Sequence, residues 1–226
     1  MAGNLRAFLA EFLGTFAWVF FAAGAVCTDA VLQGRLGPVG IGAAQGLTVA
    51  AVFGVFGRYS PGLFNPAFTL SLVVIRRLDM VKAALCLVSQ LLGAAVAGLL
   101  LAQVFSHTEV GNQAPFLGAA LPSEVLGFRG ATLLEAVLTF FLAIAAHRVF
   151  EETDRTRTKV LALVLGAVAI TAALVGGPLT GAVMNPARAF GPALASGFWS
   201  LHYVYWFGPI TGAVAGMGLS QFLFER

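Results

Sequence analysis

The sequence predicts an all-α membrane protein: six transmembrane helices plus two re-entrant half-helices in an inverted 3+3 repeat. Three observations carry that fold class. Hydrophobic residues fill 59% of the 226 positions and charged residues only 10%, with a mean hydropathy of +0.90. A soluble domain carries about 25% charged residues. Six segments, near 5–27, 38–57, 80–105, 130–150, 158–177 and 202–224, approach the roughly 20 apolar residues that a bilayer crossing needs. The tripeptide Asn-Pro-Ala occurs twice, as Asn65-Pro66-Ala67 and Asn185-Pro186-Ala187, and each copy opens an apolar run too short to cross.

The first span carries Glu11 and lacks a cleavage-site pattern, so it reads as a retained helix and not a signal peptide. After the second span comes the first short segment, about 65–75. Proline is tolerated in the first turn of a helix, and asparagine caps a helix start or aims its amide outward. The third span holds Gly93 and Ala97, a small-residue spacing that lets helices approach closely in lipid. A stretch around 106–129, with Pro115, Pro122 and several glycines, then links the two halves. The fourth span holds Glu135 and the fifth leads to the second short segment, about 185–196. The sixth spaces Gly208, Gly212 and Gly216 at four-residue steps. The short segments reach roughly 16–18 Å each at 1.5 Å per residue, well short of a hydrocarbon core of about 30 Å. Irregular backbone at that depth survives only when buried in protein or lining a wet cavity.

One unit is written twice. Ala10-Glu11-Phe12-Leu13-Gly14-Thr15-Phe16 is answered by Leu134-Glu135-Ala136-Val137-Leu138-Thr139-Phe140. The glutamates are 124 positions apart and the box asparagines 120, so the register nearly persists. Three spans per half, an odd number, turn the second copy upside down. The chain is therefore expected to form a single membrane channel domain over 1–226, with repeat one about 1–105, the loop about 106–129 and repeat two about 130–226.

Charge sets the expected orientation. With a cytoplasmic N-terminus, the inside loops hold Arg6, Arg58, Arg76, Arg77, Lys82, Arg148, Arg155, Arg157, Lys159 and Arg226, and the outside loops only Arg35 and Arg129. Ten against two is a strong positive-inside signal and predicts two cytoplasmic termini. The net charge of +3 says little about nucleic acid, because these residues line loops between spans. Cys27 and Cys86 lie in or beside spans, so neither a structural disulfide nor a metal motif is expected. No cofactor pattern and no nucleophile–base pair is found, which argues against an enzyme.

Two half-helices meeting N-terminus to N-terminus would present positive dipole ends and the amides of Asn65 and Asn185 to a narrow path. A water oxygen accepting there is turned so that its hydrogens point away, which breaks a proton-conducting chain. The plainer alternative is an ordinary N-cap. Arg188, a guanidinium in an apolar tract, is a functional-site residue by default, against a structural ion pair or snorkelling to the surface. Glu109 and Glu124 are candidate acids nearby, with no partner assigned. Glu11 and Glu135 sit mid-span, where a carboxylate is costly, and read as structural supports ahead of proton relays. His107, His147 and His202 read as interfacial residues near span ends.

The six spans, the paired boxes, Glu11 and Glu135, Gln90 followed by Gly93, and Gly208-Pro209 together resemble the aquaporin, or major intrinsic protein, family over nearly the whole chain. The resemblance implies a passive channel for water and small uncharged solutes in the lipid bilayer, excluding protons and ions. It also implies a homotetramer, a multi-pass protein of the plasma (inner) membrane, and glutamates that hydrogen-bond the re-entrant loops. Arg188 falls in the outer constriction. Counting back from the box asparagines as in the family gives Gln45, Ala173 and Ala182 as the other filter positions. Strictly water-selective members carry an aromatic residue and a His at the first two, and this chain departs at both. The set implies a wide filter open to ammonia, urea, peroxide, glycerol or metalloid acids, unless Leu174 or Leu179 fills the gap. Ala189 and the pair Tyr205-Trp206 resemble the aquaporin branch and not the glycerol facilitators. Phe64 and Phe68 are expected in the pore wall or between the half-helices. Leu63 replaces a frequent loop His, so no pH sensor is expected there. The alternatives are an ion-coupled secondary transporter and a non-conducting structural member of the same family.

Overall fold

A computed structural model describes residues 2–59, 61, 63–105 and 115–224. His107, Glu109 and Arg226 lie outside the described residues. The elements run α1 (Ala2–Val31), α2 (Gly37–Phe56), α3 (Pro66–Val74), α4 (Met80–Phe105), α5 (Gly127–Glu151), α6 (Arg155–Thr180), α7 (Pro186–Ser196) and α8 (Val204–Phe224), with no strand among the described residues. Six of them are long and apolar enough to cross a membrane. The other two, α3 and α7, have 9 and 11 residues, about 14 and 17 Å of helix.

Several helices outrun the expected spans, because an apolar window marks hydrocarbon depth while hydrogen bonding continues into polar sequence. Thus α1 continues to Val31 past Thr28 and Asp29. Asp154 starts α6 early, its carboxylate accepting from Thr156 N at 2.9 Å and Arg157 N at 2.8 Å. Gly181 ends α6 with φ +86°, a left-handed conformation that glycine adopts without steric cost. The sixth span starts later than expected, at Val204, because Leu201 turns the chain with φ +49°.

Packing repeats across the halves. α1 packs on α4 as α5 packs on α8, and α2 packs on α6 across the pseudo-axis. Each half-helix inserts into the opposite half, α7 against α4 and α3 against α8. Small residues make these crossings possible. A methyl group at Gly93 would collide with the Phe12 carbonyl, one at Gly212 with the Ala136 carbonyl, and one at Gly216 with the Phe140 carbonyl. Gly46 and Gly166 do the same job between α2 and α6, each facing the other's carbonyl oxygen. That pair escaped the sequence reading.

His147 is no interfacial residue. It is fully enclosed in α5, with Nδ1 3.1 Å from Ser220 Oγ of α8. The linker is also more than a connection. Phe116, Leu117 and Gly118 all take positive φ and wind one left-handed turn, held by Phe116 stacking on Phe198 at 3.7 Å between ring centroids.

Candidate functional site

The two boxes brace each other. Asn65 caps α3, its Oδ1 accepting from Ala67 N at 2.9 Å, and Asn185 caps α7, accepting from Ala187 N at 2.9 Å and Arg188 N at 3.4 Å. Pro66 and Pro186 open the two half-helices, where a missing N–H costs nothing. Each asparagine then reaches across: Asn65 Nδ2 donates to Met184 O at 2.9 Å, and Asn185 Nδ2 donates to Phe64 O at 3.0 Å. The acceptors are the residues just before the opposite asparagine. An amide has two N–H donors, so this cross-brace leaves the second N–H of each. Capping and donation away from the helix are therefore combined in one side chain, not alternatives.

The residues before each asparagine are strained alike. Phe64 has φ +45° and Met184 φ +53°, left-handed conformations that bulky side chains rarely adopt. The mid-span glutamates hold them. Glu11 accepts from Leu63 N at 3.0 Å and Phe64 N at 2.8 Å, and Glu135 from Val183 N at 2.9 Å and Met184 N at 2.8 Å. Each carboxylate also accepts from a side chain, Gln90 Nε2 on Glu11 at 2.8 Å and Thr180 Oγ1 on Glu135 at 2.7 Å. Gln90 also donates to Thr69 of α3, and Tyr205 OH donates to Thr180 O, so α4 and α8 steady the two loops. Both glutamates are fully enclosed and both oxygens of each are occupied.

Arg188 lies in the first turn of α7, 2% exposed. A cation at a helix N-terminus faces the positive end of the dipole, so it needs a compensating acceptor. The acceptor is Gly118 O at 2.9 Å, delivered by the left-handed turn of the linker, and not an acid. Gly118 has no room for a side chain there, because a methyl would meet the backbone of Ala23. Arg188 Nε has no hydrogen-bond partner among the described residues. Arg188 borders a cavity of about 260 Å³ together with Gln45, Ala173, Asp29, Gly118 and Gly181.

Two of the expected filter residues behave differently from the expectation. Gln45 donates Nε2 to Ala182 O at 2.9 Å, so part of its amide is spent on the loop. Ala182 itself is fully enclosed, with φ +43°, and does not border the cavity; its neighbour Gly181 does. The bond from Gln45 holds that carbonyl and the loop turns the methyl toward Gly176. Neither Leu174 nor Leu179 borders the cavity, and Leu174 faces outward at 43% exposure. The Phe64 ring lies on Gly14 of α1 and edge-on to Phe53 and Phe56 of α2, so its carbonyl, not its ring, makes the contact between half-helices. Sequence reasoning missed Gly118, Asp29 and Thr180. Nothing local marks Gly118, but Thr180 adjoins the Gly-rich loop that Glu135 holds.

The geometry offers converging helix dipoles and fixed N–H donors. Comparison with known proteins agrees with it. Residues 1–219 match the Major intrinsic protein family. The chain is 38% identical to Aquaporin TIP4-4 of Zea mays over 222 residues, covering 96% of this chain and 86% of that one. It is 34% identical to Aquaporin-4 of Mus musculus over 225 residues, 97% of this chain and 67% of that one. The X-ray structure of the aquaglyceroporin from Plasmodium falciparum shares the fold, with a TM-score of 0.79 at 21% identity over 97% of this chain and 95% of that one.

Proposed function

The chain belongs to the major intrinsic protein family and is a passive membrane channel for water and small solutes, not an enzyme; within that activity, we propose that the paired boxes exclude protons while a separate constriction at Arg188 selects the solute. The reciprocal bonds from Asn65 to Met184 O and from Asn185 to Phe64 O carry the first half of this reading. They fix both amides at the junction of two positive helix ends, where a passing water can only accept, and they leave one N–H of each amide for it. Glu11 and Glu135 hold the strained loops in place. With their oxygens taken by backbone donors, they have no room to shuttle a coupling ion, which disfavours an ion-coupled transporter.

Arg188, Ala173 and Gln45, whose amide is tied to Ala182 O, form the second constriction. Ala173 contributes only a methyl, and Arg188 keeps donors beyond the one bound to Gly118 O. That combination suits small neutral solutes larger than water that carry acceptor oxygens, such as urea or glycerol, and it repels cations. We infer further that the termini are cytoplasmic, on the ten-to-two distribution of basic residues, which puts the cavity at the outer mouth. The family resemblance supports a homotetramer. Stopped-flow light scattering on proteoliposomes tests the channel: rapid shrinkage in an osmotic step, independent of Na⁺ or H⁺ gradients, is expected. Background permeability would instead mark a non-conducting structural member.

A further inference from the structure

One face of α1 carries Glu11, Thr15, Trp18, Ala22, Val26 and Asp29, a spacing that keeps all six within roughly a quarter turn. The two ends of this stripe are anchored. Glu11 binds the loop before the first box, and Val26 and Asp29 border the Arg188 cavity. Thr15 and Trp18 therefore lie on the α1 wall between the two. Trp18 sits about 12 Å below Val26 at 1.5 Å per residue. Its ring packs edge-on to Phe53, which packs in turn on Phe64 beside the box.

Both side chains are fully enclosed, and neither Trp18 Nε1 nor Thr15 Oγ1 has a hydrogen-bond partner among the described residues. Buried polar atoms are seldom left without partners, because each loses its water without replacement. The other half of the repeat shows what a structural wall does instead. Shifted by the 124 positions that relate Glu11 to Glu135, Thr15 corresponds to Thr139 and Trp18 to Leu142. Thr139 returns its hydroxyl to Glu135 O at 2.6 Å, and Leu142 has no polar atom to satisfy. Thr15 makes no such return, and Trp18 adds a donor. Zero exposure does not remove them from the path, since Asn65 and Asn185 are enclosed to the same degree.

Resting on the channel reading, we propose that Thr15 and Trp18 form a further hydrogen-bonding station for the permeating molecule, between the Arg188 constriction and the boxes. The indole N–H only donates and the threonine hydroxyl both donates and accepts. The station therefore fits a small neutral molecule with an acceptor oxygen and a hydrogen to give: water, a hydroxylated compound or an amide of urea size. It is one-sided, set on repeat one, because Leu142, the counterpart of Trp18 in repeat two, carries no polar atom.

The test has two arms on the full chain. In proteoliposomes, Thr15→Val removes the hydroxyl at nearly constant shape, while Thr15→Ser keeps it. Osmotic water permeability per channel is expected to fall about fivefold in Thr15→Val, the rate equivalent of one net hydrogen bond, and to stay within about twofold of wild type in Thr15→Ser. Wild-type or faster flux in Thr15→Val, or an equal loss in Thr15→Ser, overturns the proposal. In nanodiscs, protein with ¹⁵N-labelled indoles in a Trp199→Phe, Trp206→Phe background should show a cross-peak between water and the Trp18 N–H. A dry Trp18 N–H overturns it even if the Thr15 variants fail to reconstitute. Absence of flux in the wild type would instead overturn the channel reading itself.

Discussion

Glu135 illustrates how single residues set this site. Its fully enclosed carboxylate gathers Val183 N, Met184 N and Thr180 Oγ1. Glu135→Ala orphans three buried donors at about 1–3 kcal/mol each, so thermal unfolding in detergent should drop by many degrees and proteoliposome water flux should vanish. Glu135→Gln keeps one acceptor oxygen and should lose less of both. Ala173 is the residue to narrow. Ala173→His puts a ring into the cavity beside Arg188, and urea and glycerol fluxes should fall at least about tenfold while water flux holds within about threefold. A tenfold loss corresponds to about 1.4 kcal/mol of added barrier. If wild-type liposomes already exclude both solutes, the wide constriction is wrong. Gln45 is a poor target for the same experiment, because replacing it also frees the Ala182 carbonyl.

Helix ends decide how the elements sit. Asparagine and proline at the starts of α3 and α7 were legible as paired half-helix starts, because N-terminal capping needs only local sequence. The cross-brace between them was not, since its acceptors, Phe64 O and Met184 O, are backbone atoms whose exposure depends on strained φ values. On the far side, α6 starts at a cap outside the membrane-spanning segment. The Arg157 N–H, with that of Thr156, holds the Asp154 carboxyl below its ordinary value. A depressed folded value means the stabilisation is complete above the unfolded value of about 3.9 and is lost as pH falls through the folded one. Asp154→Ala should therefore lower Tm near pH 7, and the gap to wild type should close as the pH drops below about 4. A gap that persists at low pH would show that the cap acts without its charge.

The whole molecule joins two copies of one unit, and its symmetry does the assembly. α3 and α7 each cross into the opposite half, so neither repeat builds a path alone. Both termini are proposed to be cytoplasmic. Protease sites fused at each end should be cut in inside-out vesicles and protected in right-side-out ones. Cutting at one end only would contradict an even number of crossings. Native mass measurement in detergent should give four protomers.

The sequence alone determined the spans and the half-helices, which follow from apolar run length and capping chemistry. The pairing of glutamate with loop is what the family resemblance implied, since the repeat offset matches the two glutamates only to each other. Tertiary structure alone decided what meets Arg188, where the Gln45 amide is spent, and which way the Ala182 methyl turns. Gly118 lies 70 positions from Arg188, in a linker whose composition says only that it bends. A buried cation takes whichever acceptor the fold brings to it, and no local pattern encodes a carbonyl delivered by a left-handed turn. The same reason hid Thr15 and Trp18, whose unmet donors become visible only once every neighbour is in place.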